Sequence, residues 1–308
     1  MDVEPLILYV PGLRPKPPPS IHREELLRCL LAGVGRVDIE VASQVRETDR
    51  SFDIVGWTYD FYAEHRDIEL DRAGIEQVLK QQEATPEDIA EARTFKRRTV
   101  RWLYRLAEHL PFLIPQVADE SMQLHLRDLR RYVTNDADIA NATRRLLKMP
   151  LRAAWQSGRP ILLIGHSMGS VIAYDALWQL SRESDDELQV DFLTLGSPLG
   201  QRYIQRRLNG CNEKGERRYP DNIRRWVNIA AVGELTAIDT EVGNDFAEMV
   251  AMGLTEEIRD LEVHNYFRFQ GMLNVHSEYG YLVNATTANE ISSWWREVTL
   301  RRDRRSAL

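Results

Sequence analysis

Residues 161–173 read Ile-Leu-Leu-Ile-Gly-His-Ser-Met-Gly-Ser-Val-Ile-Ala, and no other stretch limits the possible folds as strongly. Four consecutive apolar residues suit a strand buried on both faces, as in a parallel sheet covered by helices. The small and apolar residues from Gly169 onward suit a helix packed back on that sheet. The Gly-x-Ser-x-Gly pattern between them leaves room only for a tight turn, with Ser167 held in strained backbone and its hydroxyl exposed. Bulky side chains at 165 and 169 would collide with the neighbouring strand and helix. The helix that follows aims its first N–H groups at any negative charge developing on a group bound there.

The rest of the chain repeats this alternation. Strand-like runs lie at Leu6–Val10, Val37–Val41, Phe52–Trp57, Pro160–Ile164, Val190–Leu195, Trp226–Ala231 and Leu261–Tyr266, and helical patterns at 22–33, 137–157, 169–182, 245–259 and 287–300. Alternating β and α predicts an α/β fold, a mostly parallel sheet flanked by helices, with residues 1–308 forming one domain. Some hundred residues between the strands near 57 and 160 exceed what a crossover needs. Residues 64–135 therefore read as a helical insertion, expected to cap the mouth of the site. Within it Thr85-Pro86-Glu87-Asp88 predicts an N-cap, a proline in the first turn and helical acids, opening a helix that can run up to Pro111. Arg93, Arg97, Arg101 and Arg105 would form one stripe on that helix, which reads as a solvated face.

Charge and cysteine content narrow the function. With 40 Lys and Arg against 47 Asp and Glu, the formal charge of −7 argues against a nucleic-acid binder. No apolar run of 18 residues is present, and the acidic N-terminus lacks the basic start of a secretory signal. Contact with a membrane surface stays open. Two isolated cysteines, Cys29 and Cys211, offer neither metal spacing nor a disulfide framework, so a reduced, cytoplasmic setting is expected. Oligomeric state is not fixed by the sequence.

The chain resembles the α/β-hydrolase superfamily, and more narrowly the bacterial lipase-like serine esterases with a Gly-His-Ser-Met-Gly elbow. The resemblance rests on the strand ending in Pro11-Gly12, the elbow itself, Leu195–Gly200, the strand Trp226–Ala231, and Asn274-Val275-His276-Ser277. It does not cover residues 64–135. It implies a Ser–acid–His order, with Ser167 as nucleophile. Of seven histidines only His264 and His276 follow in the right order, and His276 lies in the loop that resembles the family's histidine loop. The acid belongs after the strand Trp226–Ala231, where Glu234 qualifies and Asp239 is the reserve. The family usually carries Asp at that position, followed by Pro-Val. His166 is expected to be a packing residue and Ser197 a turn former. The oxyanion donors implied are the backbone N–H of Met168 and that of Gly12 or Leu13, Pro11 standing where the family often has histidine.

These features imply hydrolysis of a small-molecule acyl ester through an acyl-enzyme, with no cofactor and no metal. A thioesterase or amidase on the same residues, or a catalytically silent binding module, are the alternatives. Phe112 and Leu113, in the Pro-bounded apolar run 110–115, are expected to line an acyl pocket.

Overall fold

The apolar runs pair side by side. The computed structural model describes residues 4–48, 50–94, 120–183, 189–234 and 241–306. Strands β1 (Leu6–Val10), β2 (Phe52–Ile54), β3 (Ile161–His166), β4 (Val190–Leu195), β5 (Ile223–Ala231) and β6 (Glu257–Val263) form a parallel sheet in the order β2-β1-β3-β4-β5-β6. Helices in chain order are α1 (Pro19–Val37), α2 (Ile39–Glu47), α3 (Thr58–Tyr62), α4 (Glu69–Lys80), α5 (Pro86–Ala92), α6 (Glu120–Val133), α7 (Ile139–Gln156), α8 (Met168–Glu183), α9 (Arg202–Gln205), α10 (Val242–Asp245), α11 (Ala247–Ala251), α12 (Glu278–Val283) and α13 (Ala285–Ser306). A short antiparallel hairpin, β7 (Arg268–Phe269) with β8 (Met272–Leu273), follows β6.

Strand β1 explains the layering. All five of its residues are buried, and successive side chains point to opposite faces. Leu6, Leu8 and Val10 join one apolar cluster with α7 and α8, while Ile7 and Tyr9 join another with α1, α2, α12 and α13. The fold is therefore an α/β sandwich of helix, sheet and helix. The strand order reverses direction at β1 and β3: β1 leads outward to β2, and β3 leads the other way to β4, β5 and β6. Ligands of open α/β sheets bind beyond the carboxyl ends of the strands at such a reversal.

Several sequence expectations shift. Val37–Val41 is not a strand but the junction of α1 and α2. Asp38 caps α2 by accepting from the Val41 N–H at 3.1 Å, and Val41, Ala42 and Val45 bury one helical face. The helix expected over 245–259 is two short helical segments ended near Gly253, whose φ is +72°, and the chain enters β6 at Glu257, ahead of the expected Leu261. The helix opened at Pro86 has the anticipated N-cap at Thr85, which with Asp88 forms a reciprocal capping box, but it ends at Ala92, well short of Pro111. In the segment 64–135, α4 packs against α1 and α12 on one face of the sheet, and α6 packs against α7 on the other. Phe112, Leu113 and the arginines at 97, 101 and 105 lie outside the described residues.

A buried carboxylate ties one of these layers together. Asp175 on α8 accepts from the Tyr132 hydroxyl at 3.0 Å, from Arg144 at 3.3 Å and from the Asn209 N–H at 2.8 Å. It thereby fastens α6, α7 and the connection after β4 to α8. Asp175→Ala should lower stability by about 3–5 kcal/mol, because it strands the buried Arg144 guanidinium. Asp175→Asn, whose single amide oxygen can still accept from the Asn209 N–H while its NH2 donates to the Tyr132 hydroxyl, should cost clearly less. Urea unfolding of both variants checks this, and equal losses would show that the charge opposite Arg144, which both variants remove, outweighs the hydrogen bonds.

Candidate active site

Register at the sheet's reversal fixes the site. Val10 pairs with Gly165 across β1 and β3, so the residues just beyond them, Gly12 and Ser167, meet at the carboxyl edge. Ser167 has a φ of +52°, a left-handed conformation that costs a non-glycine residue energy and survives only where the surroundings enforce it. They do so here: the Ser167 N–H donates to the Leu195 carbonyl at 2.9 Å, and the Ser170 hydroxyl donates to the Ser167 carbonyl at 2.5 Å. A Cβ at Gly169 would lie 2.1 Å from the Val10 carbonyl oxygen, so glycine there lets α8 start hard against the end of β1.

Two further residues complete a relay. His276 Nε2 lies 2.9 Å from the Ser167 hydroxyl, and His276 Nδ1 lies 2.8 Å from Glu234 Oε1. A carboxylate only accepts, so Nδ1 carries the proton and Nε2 is free to accept from the serine. The acid is fully enclosed at 1% exposure, and the imidazole is partly open at 25%. The Tyr281 hydroxyl donates to the other Glu234 oxygen at 2.9 Å and accepts from the Ala231 N–H at 2.8 Å. Burial, and then the charge of Glu234, push the Tyr281 phenol well above its ordinary value, which keeps it a donor. Gly196, at φ +55°, makes room for the group. A Cβ there would sit 3.1 Å from each of Glu234 Oε2, His276 Nδ1 and the Tyr281 oxygen.

Ser167, His276 and Glu234 come together; Asp239 lies outside the described residues. His264 lies apart on the chain leaving β6, with its Nδ1 buried and without a hydrogen-bond partner among the described residues. Met168 is the first residue of α8, so its N–H has no carbonyl within the helix. A Cβ at Gly12 would come within 2.8 Å of the Ser167 Cβ, and Leu13 follows directly. Trp57 Nε1 donates to the Pro11 carbonyl at 2.9 Å, which fixes the peptide entering Gly12. Ser197 behaves as a turn former: its oxygen accepts from the Leu199 N–H at 3.2 Å and meets the Ser170 hydroxyl at 2.7 Å. Two adjoining cavities, the larger about 250 Å³ and lined by Arg202, Gln205, Arg206, Cys211 and Arg218, run beside α9 rather than at Ser167.

Sequence reasoning missed a second buried carboxylate. Glu278 opens α12, two residues past His276. It receives Lys16 Nζ at 2.7 Å, His22 Nε2 at 3.0 Å and the Tyr9 hydroxyl at 3.2 Å. Burial alone would raise its carboxyl, but Lys16 and then His22 override that and hold it well below the usual carboxylate range. A Glu beside a His loop gives no signal of this, because its partners come from β1, α1 and the loop between them. Among the described residues, the insertion also touches the site. Ala92 at the end of α5 packs on Gly233 next to Glu234, while Glu91 accepts from the Leu273 N–H at 3.1 Å just before the His276 loop.

Comparisons with protein-family models, with curated proteins and with solved structures each find no match.

Two outcomes follow from the site geometry. Tyr281→Phe should reduce turnover by about tenfold, since it removes a donor to the buried Glu234 carboxylate and the acceptor of the Ala231 N–H; an unchanged kcat would mean the Tyr281 hydroxyl does not help to hold Glu234. Glu278→Gln should cost about 3–5 kcal/mol at neutral pH, because Lys16 loses its buried partner. The carboxyl is depressed in the folded state, so its stabilisation is present above the unfolded value of about 4.3 and disappears as pH falls through the lower folded value. Denaturant titrations should thus show the wild type and the Gln variant converging in stability below about pH 4, and parallel curves down to pH 2 would contradict this.

Proposed function

We propose that the protein is a serine hydrolase of the α/β-hydrolase type that cleaves a carboxylic ester through an acyl-enzyme. One observation carries the reading: the Ser167–His276–Glu234 relay, with both hydrogen bonds made, at the reversal point of a parallel sheet and on left-handed backbone at Ser167. The succession of elements supports it too. Strand β1 brings Gly12 and Leu13, β3 the serine, β5 the acid, and the chain after β6 the histidine.

In this mechanism Ser167 attacks the ester carbonyl as His276 Nε2 takes the hydroxyl proton. Glu234 holds the imidazole in the tautomer that leaves Nε2 free, and stabilises the imidazolium once it forms. The Met168 N–H and that of Gly12 or Leu13 receive the oxyanion, so charge develops where donors already point. His276 returns the proton to the leaving alkoxide. Water, deprotonated by the same imidazole, then releases the acid and restores Ser167. Every step uses residues of this chain, and the substrate is a small acyl ester rather than nucleic acid. Among the described residues no helix is long and apolar enough to cross a membrane. The two free cysteines fit our placement of the protein in a reducing, cytoplasmic compartment.

Ser167→Ala should lower kcat by about 10⁵–10⁶ with little change in melting temperature, residual turnover coming from binding and the oxyanion donors. A fluorophosphonate should label the wild type at Ser167 and leave the variant unlabelled. A panel of p-nitrophenyl esters and acyl thioesters of graded chain length identifies the leaving group and acyl preference. Near-normal turnover by Ser167→Ala would sink the reading, and absence of both labelling and turnover in the wild type would favour a silent binding module.

A further inference from the structure

The residue before the nucleophile is bound to the residue that would activate it. His166 ends β3 and is buried. Its Nε2 lies 2.9 Å from the main-chain carbonyl oxygen of His276, and the two rings stand 4.8 Å apart between centroids. A carbonyl only accepts, so His166 Nε2 carries the proton and Nδ1 is a bare lone pair. That Nδ1 has no hydrogen-bond partner among the described residues, and it faces Glu278 Oε2 at 3.8 Å. This contact is no ion pair, because the ring is neutral. Burial first, and then the neighbouring His276, push the His166 imidazole down to about 3. Lys16 opposes its protonation as well, while Glu278 and Glu234 favour it; these are the charged groups facing the ring from the β1 loop, α12 and the β5 loop. The Tyr281 ring closes a further side, at 6.0 Å between centroids.

We infer that His166 is a positioning residue for His276: through its Nε2–H it fixes the backbone of the His276 loop, and so the imidazole between Ser167 and Glu234. This rests on the hydrolase reading for its consequence in turnover, though not for its geometry. Other hydrogen bonds hold the same loop. The His276 N–H donates to Asn274 Oδ1 at 3.1 Å, and Asn265 Nδ2 donates to the Ser277 carbonyl at 2.8 Å. His166 alone among these belongs to the strand that carries the nucleophile. It therefore ties the base directly to the serine's own backbone, and a shift of β3 moves both together. Neutrality is part of the device. A protonated His166 would put a second positive charge beside the imidazolium that forms on His276, and Lys16 matched to Glu278 keeps the net field beneath the ring small.

The test compares two amides of different reach. Gln places its amide nitrogen as many bonds from Cβ as histidine places Nε2; Asn falls one bond short. H166Q should keep kcat within about fivefold of wild type, whereas H166N should lose about 10²-fold in kcat with KM little changed, as expected for a misplaced base. A second readout is the far-downfield proton resonance of His276 Nδ1–H bound to Glu234, assigned by its loss in His276→Gln. It should persist in H166Q and be lost in H166N. Equal losses in both variants that follow their melting temperatures, or wild-type kcat and an intact resonance in H166N, would overturn the proposal. If the resonance behaves as expected but the wild type turns over no ester or thioester, the role of His166 stands and the hydrolase reading falls.

Discussion

Strand β3 is hydrogen-bonded to β1 on one side and β4 on the other, and its last residues meet the chain leaving each neighbour. Val10 opposite Gly165 sets where Gly12 passes Ser167, and His166 opposite Leu195 sets where the Ser167 N–H finds a carbonyl. A slip of one residue would turn every side chain of β1 to the other face. Both faces of β1 are buried in separate clusters, so the apolar pattern cannot oppose such a slip by itself. The glycines do. A Cβ at 165 would strike Ser170 at 2.6 Å, and one at 169 would strike the Val10 carbonyl, so only one alignment of β1, β3 and α8 lets all of them pack.

Two buried carboxylates, Glu234 in contact with His276 and Glu278 two residues after it, are handled differently. Glu234 accepts from the imidazole and from a phenol, so in the proposed mechanism its charge lies beside the cation that forms on His276. Glu278 faces Lys16, and its charge is already matched. A buried ion pair is weak support for stability, but here it removes a field that would otherwise compete with Glu234. It also anchors α12, and thereby the loop before it, to Lys16 and His22 at the start of the chain.

The sequence made the sheet and the main site residues readable because the signals are local. An apolar run before Gly-x-Ser-x-Gly is a strand ending in a strained turn; chain order narrowed the base to His264 or His276 and the acid to Glu234 or Asp239, and the resemblance of the two loops favoured His276 and Glu234. What stayed hidden depends on contacts across the fold. Val37–Val41 alternates like a strand, yet Asp38 as a cap and burial at 41, 42 and 45 make it helix. Residues 245–259 hold apolar residues at helical spacing, but pairing of 257–263 with β5 outweighs it. Tyr281 and His166 gave no sign of their roles, because each acts on a residue some 50 or 110 positions away.

The choice of Glu rather than Asp at 234 has a structural rationale. The loop leaving β5 turns at once: the Glu234 N–H donates to the Ala231 carbonyl at 3.0 Å, and Gly233 adopts φ +82° with α5 packed against it. The backbone at 234 is therefore held back at the sheet edge by Ala92 behind it. A carboxylate one methylene shorter would stop about 1.5 Å farther from the imidazole unless the loop advanced. Advancing it would undo the Tyr281 bridge, which is tied both to Ala231 and to the carboxylate. In this fold the longer acid and the packed insertion belong together: α5 sets the loop back, and the extra methylene restores the reach.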